Sequence, residues 1–299
     1  MSTRWLRLAS VAMLLGHALG AGAAETRALI VSGLGGDPQY EAQFRDLSER
    51  VARKLDAVIP HVVLLHGDMA NQDQVRTTFQ AFADKSSAGD TLLFVFVGHS
   101  SFDGHTLRFN VPGRDFDAAA LQEWLLQVPA GERVFVVTGS ASGALHEALE
   151  ESGVALFTAT RSGNEKNATE FPDYFVEALG AEAADTDKDR LVSVSEAFAY
   201  AESAVARHFE QAKQLASEHA RRSGPESFLV LAKLTDAQDL AREGSAGQPK
   251  ELDDPALERR AAIEAEIDAL RARKTGLEPG EYFTALQALL LELAMVEQQ

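Results

Sequence analysis

The sequence predicts an α/β fold: a layered, mostly parallel sheet with helices on both faces, followed by a C-terminal helical hairpin. Two observations carry this. Leu92–Val97 (LLFVFV) and Val134–Val137 (VFVV) are unbroken apolar runs that stop at small and polar residues, the pattern of strands buried on both faces of a parallel sheet. Shorter apolar runs around them alternate with segments of helical period, which calls for crossover connections and a covered sheet.

Taken in order, residues 1–24 read as a secretory signal. Arg4 and Arg7 make a basic start, Leu8–Leu19 is mostly apolar but too short to span a bilayer with its flanks, and Ala21-Gly22-Ala23-Ala24 offers small residues for cleavage. An uncleaved anchor is the alternative. On the cleaved reading the mature chain is soluble and periplasmic, since no later run is long enough to cross a membrane.

Residues 25–234 are expected to form the α/β domain. Ala28–Val31 is its first strand, and Phe44, Leu47, Val51 and Leu55 give the segment Tyr40–Leu55 a helical stripe. The intervening Ser32-Gly33-Leu34-Gly35-Gly36-Asp37-Pro38 lacks the G-x-G-x-x-G spacing and any Lys-Ser/Thr, so it predicts tight closure of a strand onto a helix rather than a nucleotide loop. Val62–Leu65 is a second strand, and Asn71–Asp84 a helix with Val75, Phe79 and Phe82 inward. After the Leu92–Val97 strand, the alternation from His105 to Arg114 predicts a small surface hairpin, and Asp115 is placed to cap the next helix. A helix from about Ser142 to Glu150, a strand Val154–Ala159, helices over Phe171–Leu179 and from Val194, and a closing strand Phe228–Ala232 complete the domain. Residues 235–254 read as a linker. Residues 255–299 read as two amphipathic helices whose stripe packs on the domain or on a second copy, which makes self-association through this hairpin an open alternative.

Composition narrows the chemistry. The 299 residues carry 45% hydrophobic and 24% charged residues, a formal charge of −17 and no cysteine. Such an acidic chain repels nucleic acid and anionic lipid, and favours divalent cations and basic peptides. Without cysteine, disulfides, thiolate metal sites and a cysteine nucleophile are all excluded from this sequence.

The candidate site emerges from the strand ends. His99 leaves one buried strand and Ser140 leaves the next, and ligands of open α/β sheets gather outside the carboxyl ends of the strands. The plainer reading of the same residues is that Gly- and Ser-rich turns merely close βα loops.

A second pattern is more specific. Asp185-Thr-Asp187-Lys-Asp189-Arg190-Leu191-Val-Ser193-Val-Ser195-Glu196 places oxygen side chains at positions 1, 3, 5, 9 and 12, the order of an EF-hand calcium loop, with the Leu191 carbonyl at position 7. Predicted helices flank it. Its departure is Arg190 at position 6, where the backbone turns through positive φ at a cost of about 1 kcal/mol for a residue other than glycine. Calcium is therefore the expected cofactor, and an acidic helix cap without an ion is the alternative.

Three segments also carry a family resemblance. Gly98-His99-Ser100-Ser101-Phe102-Asp103-Gly104 resembles the GHG…DG segment that follows the third strand of caspase-like and legumain-like peptidases. Val136-Val137-Thr138-Gly139-Ser140-Ala141-Ser142-Gly143 resembles their EACESG or DACRSG segment, and Ala159–Glu165 is similar to the segment that helps build the substrate pocket in legumain-like proteins. The order of elements agrees over about residues 27–232. The resemblance implies that His99 is the acid/base and that Ser140 stands where the catalytic cysteine would be. It further implies that the Ser100 N–H lies at the oxyanion site, and that Ser100, Gly139, Arg161 and Glu165 are substrate-binding residues.

A hydroxyl is far less acidic than a thiol, and Ser100 replaces a glycine. Three functions are compatible with this: a degenerate peptidase domain that binds a peptide or protein ligand, a serine-dependent hydrolase in which His99 deprotonates Ser140, or a calcium-stabilised assembly protein. Asp103 could orient the imidazole in the hydrolase, but reads better as a turn residue before Gly104.

Overall fold

A computed structural model describes residues 24–234, with isolated positions 270, 285 and 289 beyond them. The predicted signal segment up to residue 23, the linker and the C-terminal hairpin lie outside the described residues. The chain divides into two units, Met1–Thr235 and Asp236–Gln299, and the α/β domain lies in the first.

β1 (Thr26–Ser32) turns into α1 (Pro38–Asp56), where the Asp37 carboxylate accepts from the N–H groups of Gln39 and Tyr40 and Pro38 sits in the first turn. β2 (His61–Leu65) is followed by α2 (Gln72–Ala83), capped by the Asn71 side chain. β3 (Thr91–Val97) opens into three short antiparallel strands, β4 (Ser100–Phe102), β5 (Leu107–Phe109) and β6 (Phe116–Asp117), before α3 (Ala118–Gln127). Then come β7 (Glu132–Val137), a 3-10 turn over Ser142–Ala144, the single-turn α4 (Leu145–Ala148) and β8 (Ala155–Thr158). The remainder is α5 (Phe171–Ala178), β9 (Leu191–Ser193), α6 (Val194–Ala212), β10 (Arg221–Ser223) and β11 (Val230–Lys233).

The main sheet has the order β10-β8-β7-β3-β1-β2. All neighbours are parallel except β10, which runs antiparallel to β8 at one edge. Strand residues alternate between two cores. Ala28, Ile30, Leu93, Val95, Val134 and Val136 pack with α1, α5 and α6, whereas Leu29, Val31, Leu92, Phe94, Phe96 and Phe135 pack with α2 and α3. Each such Val, Leu, Ile or Phe side chain removed from water contributes about 1.5–3 kcal/mol, so the two-sided burial that the apolar runs require is the main stabilising term. The fold class is therefore α/β, a mostly parallel sheet covered on both faces. No helix among the described residues is long and apolar enough to cross a membrane.

Three local expectations are corrected. The alternating stretch after His105 does join antiparallel pairs, as β5 between β4 and β6, but its apolar residues Leu107, Phe109 and Val111 are buried in the second core rather than lying on the surface. Asp117, not Asp115, caps α3 by accepting from the Ala120 N–H, while Asp115 accepts from Val111. The last apolar run does not close the main sheet. β11 pairs with β9 in a separate two-stranded ribbon, and the sixth strand is the short, charged β10.

Candidate functional site

The site begins with a row of glycines. The pairing of Ser32 with Val97 and of Phe96 with Val137 carries Gly33, Gly98 and Gly139 side by side past the ends of β1, β3 and β7. A Cβ on Gly98 would lie 2.8 Å from the Gly33 Cα, and one on Gly139 would lie 2.6 Å from the Gly98 carbonyl oxygen. Only glycine lets the three chains approach this closely as they leave the sheet.

Beyond this row, Ser100 and Ser140 lock the two strand ends together. The Ser140 hydroxyl donates to the Ser100 carbonyl at 2.9 Å, and the Ser100 hydroxyl donates in return to the Ser140 carbonyl. Both serines are buried. The backbone after Ser140 is also fastened. Ala141, in the left-handed region at φ 57°, donates its N–H to the Glu165 carbonyl at 2.6 Å, and Gly143 donates to the Thr160 hydroxyl at 2.9 Å.

His99 sits half-buried over α1. Its ring meets those of Tyr40 and Phe44 edge to face, with centroids 4.8 and 4.9 Å apart. Burial lowers its pKa below the ordinary histidine value, and the negative charge of Asp37 only partly offsets that. The imidazole is thus kept neutral against an aromatic wall, while the Ser140 proton is directed at a backbone carbonyl. Tyr40 and Phe44 are partners of His99 that the sequence did not mark, although Phe44 belongs to the helical stripe of α1.

Asp103 does not orient the imidazole. Its carboxylate accepts from the backbone of His105 and Thr106 and pairs with Arg108 at 2.7 Å, and the Arg108 bond leads the set that holds its pKa well below the carboxylate range. Arg161 and Glu165 are neighbours, as their spacing suggests. Glu165 accepts from the Arg161 N–H at 3.0 Å and the His219 N–H at 3.1 Å, and pairs with Arg161 Nε at 3.1 Å and His219 Nδ1 at 2.8 Å. Every acceptor position of this carboxylate is used in closing the loop.

An open groove of about 660 Å³ runs beside the Ser140 turn, between the β4–β5 connection and the 143–148 and 161–164 segments; Phe102, His105, Gln122, Glu147, Arg161 and Asn164 give it mixed walls. Glu218 is only 3% exposed. It accepts from the Glu170 N–H at 2.8 Å at the start of α5, while its other oxygen has no hydrogen-bond partner. Burial, opposed by that bond, pushes its carboxyl up to about 8. No sequence signal marked Glu218, because its surroundings come from residues about fifty positions away.

The acidic loop is assembled as a unit. One carboxylate oxygen each from Asp185, Asp187 and Asp189 lies within 4.8 Å of the others. Arg190 takes the positive φ, 69°, that position 6 demands. Glu196 bridges the loop and the start of α6. One carboxylate oxygen accepts from the Thr186 N–H and hydroxyl and the other from the Ser193 N–H and hydroxyl, a capping box on α6. Burial disfavours its charge, but these four donors prevail and bring its pKa down to about 2.

No protein-family model matches the chain, and no curated protein is similar to it. Among solved structures it is similar to caspase-1 from Spodoptera frugiperda, at 14% identity and a TM-score of 0.49, over 71% of this chain and 91% of that one. It is also similar to a protein from Geobacter sulfurreducens at 11% identity and a TM-score of 0.46, over 71% of this chain and 100% of that one. Likenesses this distant concern the fold and leave the chemistry to the residues.

Proposed function

We propose that residues 25–234 form a caspase- or legumain-like peptidase domain that does not hydrolyse, and that it serves outside the cytoplasm as a module for a peptide or protein ligand. The observation that supports this reading most is the reciprocal pairing of Ser100 and Ser140. A serine becomes a nucleophile when its proton is accepted by a base within hydrogen-bond reach. The Ser140 proton is instead given to a carbonyl oxygen, which cannot take it, and the His99 ring rests on Tyr40 and Phe44. With no cysteine in the sequence, no thiolate can replace it.

The groove beside the Ser140 turn is the natural ligand surface, because it is lined by segments that follow the carboxyl ends of β3, β7 and β8, where ligands of open α/β sheets collect. The charge of −17 favours a basic ligand. The basic, then apolar, then small-residue order of residues 1–24 supports export. A fluorophosphonate probe tests the hydrolytic alternative directly. The expected outcome is no covalent labelling of the intact chain. Labelling that disappears in both Ser140→Ala and His99→Ala would establish a working hydrolase and end this reading.

A further inference from the structure

We propose that the loop from Asp185 to Glu196 is a calcium site, in which a carboxylate oxygen from each of Asp185, Asp187 and Asp189 holds one ion together with the Leu191 carbonyl. Calcium takes oxygen ligands at about 2.3–2.6 Å, so two oxygens on the same ion lie at most about 5 Å apart. The three carboxylate oxygens, all within 4.8 Å of one another, meet that limit.

An independent observation comes from Asp185. This residue is 4% exposed; one of its oxygens accepts from the Arg190 N–H at 3.1 Å, while the other is buried and accepts no hydrogen bond. A carboxylate oxygen taken out of water without a partner is costly, and a cation seated in the cluster supplies the partner. The remaining groups are arranged to leave room for it. The Asp187 and Asp189 side chains are each oriented by one backbone N–H, from Asp189 and Leu191, and both residues are exposed. Lys188 turns its ammonium onto the carbonyls of Glu182 and Asp185.

The occupied carboxylate of Glu196 changes the site from the one its spacing suggests. Two donors on Thr186 and two on Ser193 occupy it, so it ties the loop to the helix start rather than giving the ion two oxygens. Ser193, engaged in the same cap, is likewise no ligand. A set of three carboxylates and a carbonyl, completed by water, belongs with the weak extracellular class of calcium sites, Kd about 0.1–1 mM. Magnesium demands near-ideal octahedral geometry and gives up water reluctantly, so this loop favours calcium.

Calorimetric titration of the metal-free full chain with calcium chloride, and separately with magnesium chloride, tests the site. One calcium is expected to bind in the range given, with magnesium at least roughly tenfold weaker and a calcium-dependent rise in Tm of a few degrees. Asp187→Asn and the double variant Asp187→Asn/Asp189→Asn keep the acceptors that shape the loop, so they should fold normally yet weaken calcium at least roughly tenfold and abolish the Tm rise. Absence of saturable heat at about 10 mM calcium overturns the proposal. So does binding that is unchanged in the double variant, or magnesium binding as tight as calcium.

Discussion

Ser140 shows how one hydroxyl can be turned from chemistry to structure. Just past the end of a buried strand it is the hydroxyl that the sequence suggests as a nucleophile, yet its partner is the Ser100 carbonyl and the Ser100 hydroxyl returns the bond. Removing either side chain leaves a buried carbonyl without its donor, at a cost of about 1–3 kcal/mol. Ser140→Ala and Ser100→Ala should each lower stability by that amount. Each substitution breaks one strut of the same clamp, so the double variant should cost less than the sum. Urea denaturation measures all three. If Ser140→Ala is neutral or stabilising, the clamp has no structural role and a strained catalytic serine becomes the better account. The end of an apolar run marks where Ser140 sits, but which atom its hydroxyl faces depends on β4, a strand that only the fold creates. The acidic loop shows the same competition. Ser193-Val-Ser-Glu196 fits both the end of a calcium-loop pattern and a capping box, and the nearby N–H and hydroxyl donors win the carboxylate.

At the scale of elements, α6 offers a clean test of local conformation. It ends at Lys213, an exposed residue with φ 55°, where a Cβ costs roughly 1–2 kcal/mol and glycine is the usual occupant. Lys213→Gly should raise stability by about 0.5–1 kcal/mol once the greater freedom of glycine in the unfolded chain is deducted, and thermal unfolding would show it. A fall in Tm would mean that the lysine side chain holds something that the turn needs. The buried parallel strands were legible because burial on both faces demands apolar residues at every position, as in Leu92–Val97. β10 was not, because Arg221-Arg222-Ser223 is an edge strand that borrows its order from the pairing of Arg222 with Phe157. The apolar run ending at Ala232 was visible, but which sheet it joins is decided by its pairing with β9 rather than by its own residues.

For the whole molecule, two buried titrating groups pull stability in opposite directions with pH. His146, 5% exposed, bridges Thr158 at 2.9 Å and Ser223, and burial, helped by the charge of Arg221, depresses its pKa to about 4 from 6.5. The unfolded chain gains this proton as pH falls below 6.5 while the folded chain resists it until about 4, so acid weakens the fold through this window. Glu218 acts in the opposite sense. Burial raises its folded pKa to about 8 from 4.5, so its contribution is complete below 4.5 and is lost as pH rises toward 8. Stability should therefore peak between these slopes, at about pH 5–6, and decline toward both sides. Glu218→Gln isolates the alkaline slope, because the amide stays neutral at every pH and its oxygen can still accept from the Glu170 N–H. Its Tm should decline less steeply than that of the native chain between pH 5 and 8, and the two curves should separate progressively as pH rises. Parallel curves over that range would mean that Glu218 is already ionised in the folded protein, with water or a cation reaching the oxygen that now lacks a partner.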